Sequence, residues 1–292
     1  FEAMATMESG AKSEKEGAGS GWLARHLLST HNGDSPLRAV ALGSLMPDSL
    51  RGATSATTIQ SLDDFRVQIP AAMNEQSREM RTMLRNFYQN GKDEIAVAGR
   101  ETLDVLSTLN GVQPSQYKPQ GDAKYPETEL GSGLRQVAQL IKADVGLEVA
   151  CLDRGGWDTH VAQGANIGWM AIQLDDLAKS LFAFSRDLST QWKRVTVLVM
   201  TEFGRRLHEN SGLGTDHGTA SAMMLLGGGV RGGKVFAKWP GLADDQLAPP
   251  GDLRVTTDYR DVLSEVLKTR LRNTYLCEVF PRFTPQFHGL VS

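Results

Sequence analysis

Val195-Thr196-Val197-Leu198-Val199-Met200 decides the fold. An apolar and β-branched run without polar alternation reads as a strand covered on both faces, as in sheets sandwiched by helices. Just upstream, apolar residues at 170, 174, 177, 181 and 184 keep helical spacing in a pattern reaching about Trp192. Before that helix stands Leu147-Glu148-Val149-Ala150-Cys151-Leu152, a second strand. Strand, long helix and strand predict a right-handed parallel crossover. Further out, 130–143 reads as a helix, Ala222-Met223-Met224-Leu225-Leu226 as another buried strand, and 257–269 as a closing helix.

The first half is less regular. Trp22-Leu23-Ala24-Arg25-His26-Leu27-Leu28 has helical spacing, and Leu37-Arg38-Ala39-Val40-Ala41-Leu42-Gly43 reads as a short buried strand. Residues 8–21 are small, charged and glycine-rich, which predicts a solvated loop. Residues 73–110 lack proline and predict two amphipathic helices broken near Asn90-Gly91, and 111–127 read as a loop. With neither repeat nor linker, the expected architecture is one α/β domain over 1–292, with 73–127 as an added helical and loop portion.

Composition excludes several classes. Lys and Arg number 31 against 34 Asp and Glu, a net charge of −3, so there is no basic surplus for a nucleic-acid partner. Hydrophobic residues make up 40% of the 292, enough for a substantial core. No stretch approaches the roughly 18 apolar residues of a membrane span. Cys151 sits in an apolar run and reads as a buried free thiol, with a bridge to Cys277 as the alternative. The chain opens Phe1-Glu2-Ala3-Met4 without a signal core, so any targeting segment is expected to have stood upstream of it.

Ligands of open parallel sheets bind beyond the carboxyl ends of the strands. One strand runs into Asp153-Arg154-Gly155-Gly156-Trp157-Asp158-Thr159-His160, the next into Thr201-Glu202-Phe203-Gly204-Arg205, and a third loop holds Gly214-Thr215-Asp216-His217-Gly218-Thr219. In extended chain Asp158 and His160 point the same way, as two metal ligands or as a histidine tethered in a turn. Asp216 beside His217 reads alone as a turn residue. Glu202 after an apolar strand needs a partner, either a cation or Arg205. Together the three loops favour a site, and mixed imidazole and carboxylate donors suit zinc or manganese. His208 is a candidate supporting residue; His26, His31 and His288 read as structural. Gly227-Gly228-Gly229-Val230-Arg231-Gly232 has G-x-G-x-x-G spacing, but no helix pattern follows it to receive a phosphate.

Gly155-Gly156-Trp157-Asp158-Thr159-His160, Thr201-Glu202-Phe203-Gly204-Arg205 and Asp216-His217-Gly218 resemble the three signatures of domain-of-unknown-function family 1501. Flanking matches are Phe1-Glu2-Ala3, Met7-Glu8-Ser9-Gly10, Gly21-Trp22-Leu23, Tyr125-Pro126 and Thr257-Asp258-Tyr259-Arg260. The resemblance implies an exported bacterial protein of the alkaline phosphatase and sulfatase superfamily: a mainly parallel α/β sandwich that hydrolyses phosphate or sulfate esters with divalent cations. It implies Asp158, His160 and His217 as ligands of one cation and Glu202 as a ligand of a second. Asp216 and Arg205 would assist catalysis, Arg205 by neutralising a small anionic ester. The superfamily's glycine-rich strand with a further metal Asp, and its Ser or Thr nucleophile, have no counterpart here and would precede Phe1. Phe203 stands where the superfamily places a histidine. A catalytically degenerate binding or scaffold protein is the alternative.

Overall fold

The structure, a computed structural model, describes residues 2–11, 19–30, 35–65, 77–109, 112 and 116–292. Phe1, His31 and parts of the 8–21, 73–110 and 111–127 segments lie outside them. The described chain is mixed α/β. Its helices are α1 (Glu2–Ser9), α2 (Trp22–Ser29), α3 (Ser77–Gln89), α4 (Glu94–Leu109), α5 (Glu129–Lys142), α6 (Trp169–Asp187), α7 (Tyr259–Arg270) and α8 (Leu276–Val279). The strands are β1 (Ala39–Leu42), β2 (Ala56–Ile59), β3 (Val149–Leu152), β4 (Thr196–Val199), β5 (Gly204–Arg205), β6 (His217–Gly218) and β7 (Met224–Gly227).

Strands β2, β1 and β3 form a parallel sheet in that order, with Ala39 opposite both Ala56 and Val149. Side-chain alternation along β1 sets the layers. Ala39 and Ala41 face a cluster with Trp22, Leu23 and Leu27 of α2, Leu263 and Leu267 of α7, and Phe280. Val40 faces the opposite way, towards Leu37, Ile59, Val105 and Leu109 of α4, and Leu140 of α5. A third cluster joins Leu134 and Val137 of α5 to Leu181 and Phe184 of α6. Each fully buried leucine contributes about 1.5–3 kcal/mol; Leu37, Leu50, Leu140, Leu188, Leu263 and Leu267 are of this kind. Helix α5 starts where Thr128 accepts a hydrogen bond from the Gly131 amide.

The expected mainly parallel sheet is corrected at β4, which pairs antiparallel with β7 from Thr196–Gly227 to Val199–Met224. A parallel return needs a crossover, usually a helix. Residues 200–223 contain none and instead form the antiparallel β5–β6 pair and its loop. Among the described residues β3 is laddered only to β1, and β4 only to β7. Both strands nevertheless lie between the same apolar layers. Val149, Cys151, Leu198 and Met200 pack on one side, and Ala150, Leu152, Val197 and Val199 on the other.

Smaller differences follow from packing. Ser9 and Gly10 are buried rather than solvated, and Gly10 closes against Phe280 and Trp22. Both cysteines are free thiols; burial pushes the Cys151 thiol up to about 12. No helix opens directly after the glycine-rich stretch that starts at Gly227, as the sequence predicted. Among the described residues no helix is long and apolar enough to cross a membrane.

Candidate metal centre

Three segments distant in sequence meet beyond the carboxyl ends of β3 and β4. Oδ1 of Asp158 lies 3.0 Å from His160 Nε2 and 2.6 Å from His217 Nε2. One donor atom from each residue falls within 4.8 Å of the other two. His217 arrives by the β5–β6 pair, in which it is the register partner of Arg205. The trio is open to solvent.

Polar ties hold the three loops together. Gln163 Oε1 accepts from Thr159 at 2.9 Å and from Thr215 at 2.7 Å, joining the segment after β3 to that before β6. Asn210 Oδ1 accepts from the amides of Gly212 and Gly214, while its Nδ2 donates to the His160 carbonyl at 3.0 Å and to Asp216 Oδ1 at 2.9 Å. Gly214 must be glycine: a Cβ there would stand 2.3 Å from the His160 carbonyl oxygen. Gly156, at φ +91°, likewise closes on the Gln173 amide.

Neighbouring groups keep the carboxylates of the site charged. The hydrogen bond from His217 holds the Asp158 carboxyl below the usual range, aided by His160 and Arg205. Asn210, then His160, do the same for Asp216. His160 has a carboxylate oxygen at each nitrogen, Asp158 at Nε2 and Asp216 at Nδ1, 3.1 Å away. A neutral imidazole donates only one proton. If Nδ1–H is donated to Asp216, the Nε2 lone pair faces Asp158, and a positive ion between them resolves the clash. Carboxylate-supported histidines are the usual arrangement around zinc. Tetrahedral ligands at zinc distances stand ~3.3 Å apart, so admitting an ion opens the Asp158 contacts by about 0.3 Å at His160 and about 0.7 Å at His217. The donor set therefore fits a divalent cation.

The other candidates fall into distinct places. Asp216 supports His160 from outside the trio. Arg205 Nη1 donates to the Thr215 carbonyl at 2.5 Å and Nη2 to that of Trp157, 3.8 Å from Asp158, so the guanidinium ties the loops. Glu202 does not join the trio: Thr201 lies 3.4 Å from it, and it neighbours Asp153. Partial desolvation, then Glu202, raise the Asp153 carboxyl. Burial, then Asp153 and Asp48, raise that of Glu8 against the opposing pull of the Asp48 amide. His208 is exposed and points to Asp244 at 4.0 Å, away from the site. Asn210, Gln163 and Asp153 were not identified from sequence; Asp153, directly after β3 as Glu202 follows β4, carried the one available signal.

A family model described as "Protein of unknown function (DUF1501)" matches residues 1–270. No curated protein and no solved structure matches the chain.

Proposed function

The chain belongs to the DUF1501 family of proteins of unknown function, and on that premise we propose that it is a divalent-metal-dependent hydrolase of small phosphate or sulfate esters. The observation that carries this reading is the focus of Asp158 and His160, from the loop after β3, and His217, from β6, within 4.8 Å. Asp158 supplies the anionic ligand, and His160 and His217 bind through Nε2. Asp216 accepts a hydrogen bond from His160 Nδ1–H and fixes its tautomer. Zinc or manganese suits these donors. A bound cation supplies a Lewis acid and lowers the pKa of water. Arg206, half-exposed and 3.9 Å from Asp216, offers positive charge to an anionic ester, backed by Arg205. The reading includes an alkaline-phosphatase-like sandwich and an exported, periplasmic location, both supported by the signature residues.

One observation favours a second reading, a catalytically degenerate binding protein. The threonine hydroxyls of the three loops are all engaged: Thr159 and Thr215 by Gln163, Thr201 by Glu202 and Thr219 by Asp252. The test is elemental analysis and zinc or manganese titration of chelator-stripped protein, with aryl phosphate and aryl sulfate turnover. Stoichiometric metal and turnover, both lost in His160→Ala and His217→Ala, are expected. Metal binding without turnover selects the second reading, a protein that takes up no metal overturns the hydrolase, and turnover lost in His217→Ala overturns the second reading.

A further inference from the structure

The two imidazoles of the trio are held by different means. His160 has Asp216 at Nδ1. Among the described residues no hydrogen-bond partner reaches Nδ1 of His217. Its ring instead lies flat on Phe203, centroids 4.0 Å apart and planes 9° from parallel. Arg205 stands over the same phenyl ring, its Cζ 4.9 Å from the centroid. The His160 ring is 4.7 Å from that of His217, tilted by 33°. The backbone explains the meeting: Phe203 immediately precedes β5, and β5 pairs with the strand carrying His217. Phe203 carries no donor atom, so its contribution is shape.

We infer that Phe203 is the positioning residue of His217, a flat shelf that does for this imidazole what Asp216 does for His160. The inference rests on the cation site proposed above. An imidazole free to turn about its χ angles loses orientational freedom when it binds an ion, and a stacked ring has given up that freedom beforehand. Offset stacking is worth ~0.5–1.5 kcal/mol beyond the burial of the rings, and Arg205 over the phenyl face adds a cation–π contact that anchors the shelf. The plane chosen is the one that sends Nε2 to Asp158 at 2.6 Å. Asp216 holds one imidazole at Nδ1 and the phenyl ring holds the other by its face, so the two histidines are held unequally.

The test titrates Zn2+ against a chromogenic chelator and records the visible spectrum of the Co2+-loaded protein. The proteins are wild type, Phe203→Leu, Phe203→Tyr, His217→Ala and the His217→Ala/Phe203→Leu double variant. Phe203→Leu, which keeps apolar bulk but not the plane, is expected to weaken Zn2+ binding about tenfold and alter the Co2+ bands. Phe203→Tyr restores both to near wild type, and in the His217→Ala background Phe203→Leu has no further effect. Thermal melts in chelator identify any loss due to misfolding, and Phe203→Tyr decides the matter if Phe203→Leu is unstable. Wild-type affinity and bands in Phe203→Leu, or an equal loss in both backgrounds, overturn the shelf while leaving the metal site standing. Wild-type protein that binds neither ion overturns the site and the shelf together.

Discussion

His160 spans two carboxylates: its Nε2 is 3.0 Å from Asp158 Oδ1 and its Nδ1 3.1 Å from Asp216 Oδ1. In the proposed metal site the first contact gives way to an ion, while the second orients the ring. Asp216→Ala is therefore expected to weaken zinc binding ~10–100-fold, the range seen when a ligand's outer partner is removed. Asp216→Asn, which keeps an acceptor oxygen, loses less. Chelator competition gives both values, and equal affinities across the three proteins would contradict the assignment.

The cation proposed at the trio is expected to leave in acid. Because neighbouring groups hold Asp158 and Asp216 below the usual carboxylate range, both remain charged as pH falls towards that range. Binding requires neutral imidazoles. The expected plot of log Kd against pH is flat at alkaline pH and steepens on acidification, before the carboxylates protonate. A loss confined to pH below about 4 would mean that carboxylates alone hold the ion.

Gly214 and Gly155 form a matched pair of tests. A methyl group at Gly214 meets the His160 carbonyl at 2.3 Å, whereas one at Gly155 meets nothing within 4 Å. Gly214→Ala must part the two loops; overpacking of this kind costs ~1–3 kcal/mol and moves His160 away from His217. Lower stability and weaker zinc binding are expected for Gly214→Ala only. Calorimetric melts with and without zinc check both.

Arg205 joins the carbonyls of Trp157 and Thr215 through separate nitrogens. Lysine cannot span both, lacking the planar fork. Arg205→Lys is expected to speed amide exchange in 157–160 and 215–217 and to weaken zinc binding several-fold. Unchanged exchange would show that the Gln163 and Asn210 ties suffice.

Far from the site, Asp187 is buried on α6 and accepts from Tyr117 at 2.6 Å, Tyr125 at 2.8 Å, the Gln120 amide at 2.7 Å and Lys142. Burial opposes its charge, but these bonds outweigh it and hold the carboxyl below the usual range. Removing one partner of a buried pair typically costs ~3–5 kcal/mol, so Asp187→Ala is expected to lose about 3 kcal/mol at pH 7. A depressed carboxyl stabilises the fold above its unfolded value of about 3.9 and loses that contribution as pH falls through the folded value. Urea titrations at pH 7 and pH 3 should show the gap narrowing in acid.

The long elements were legible in sequence because their periodicity is sustained. The patterns at 130–143, 170–184 and 257–269 became α5, α6 and α7, and two apolar runs became β3 and β4. Strand pairing was not legible: nothing in Val195–Met200 distinguishes a parallel neighbour from the antiparallel β7. Helix α1 lay hidden beside a glycine-rich stretch, and β2, only Ala-Thr-Thr-Ile, is too short to show a period. At the site, the rule of strand ends pointed to the loop of Asp158 and His160, while His217 was singled out in a loop that precedes a strand. Glu202 follows the same rule yet faces Asp153, because the residue's side-chain direction depends on where β4 sits. Gln163 and Asn210 act only through the fold, in loops with no pattern to read.

The edges of β3 and β4 that lack ladder partners among the described residues have a dynamic consequence. Edge amides without a ladder acceptor open to solvent at little cost, however apolar the side chains above and below them. Amides of β4 turned away from β7 should then trade deuterium rapidly while their β7-facing neighbours stay slow. The greasiest ribbon in the chain thus doubles as a reporter: any segment that came to lie along it would announce itself as a sudden slowing of that exchange.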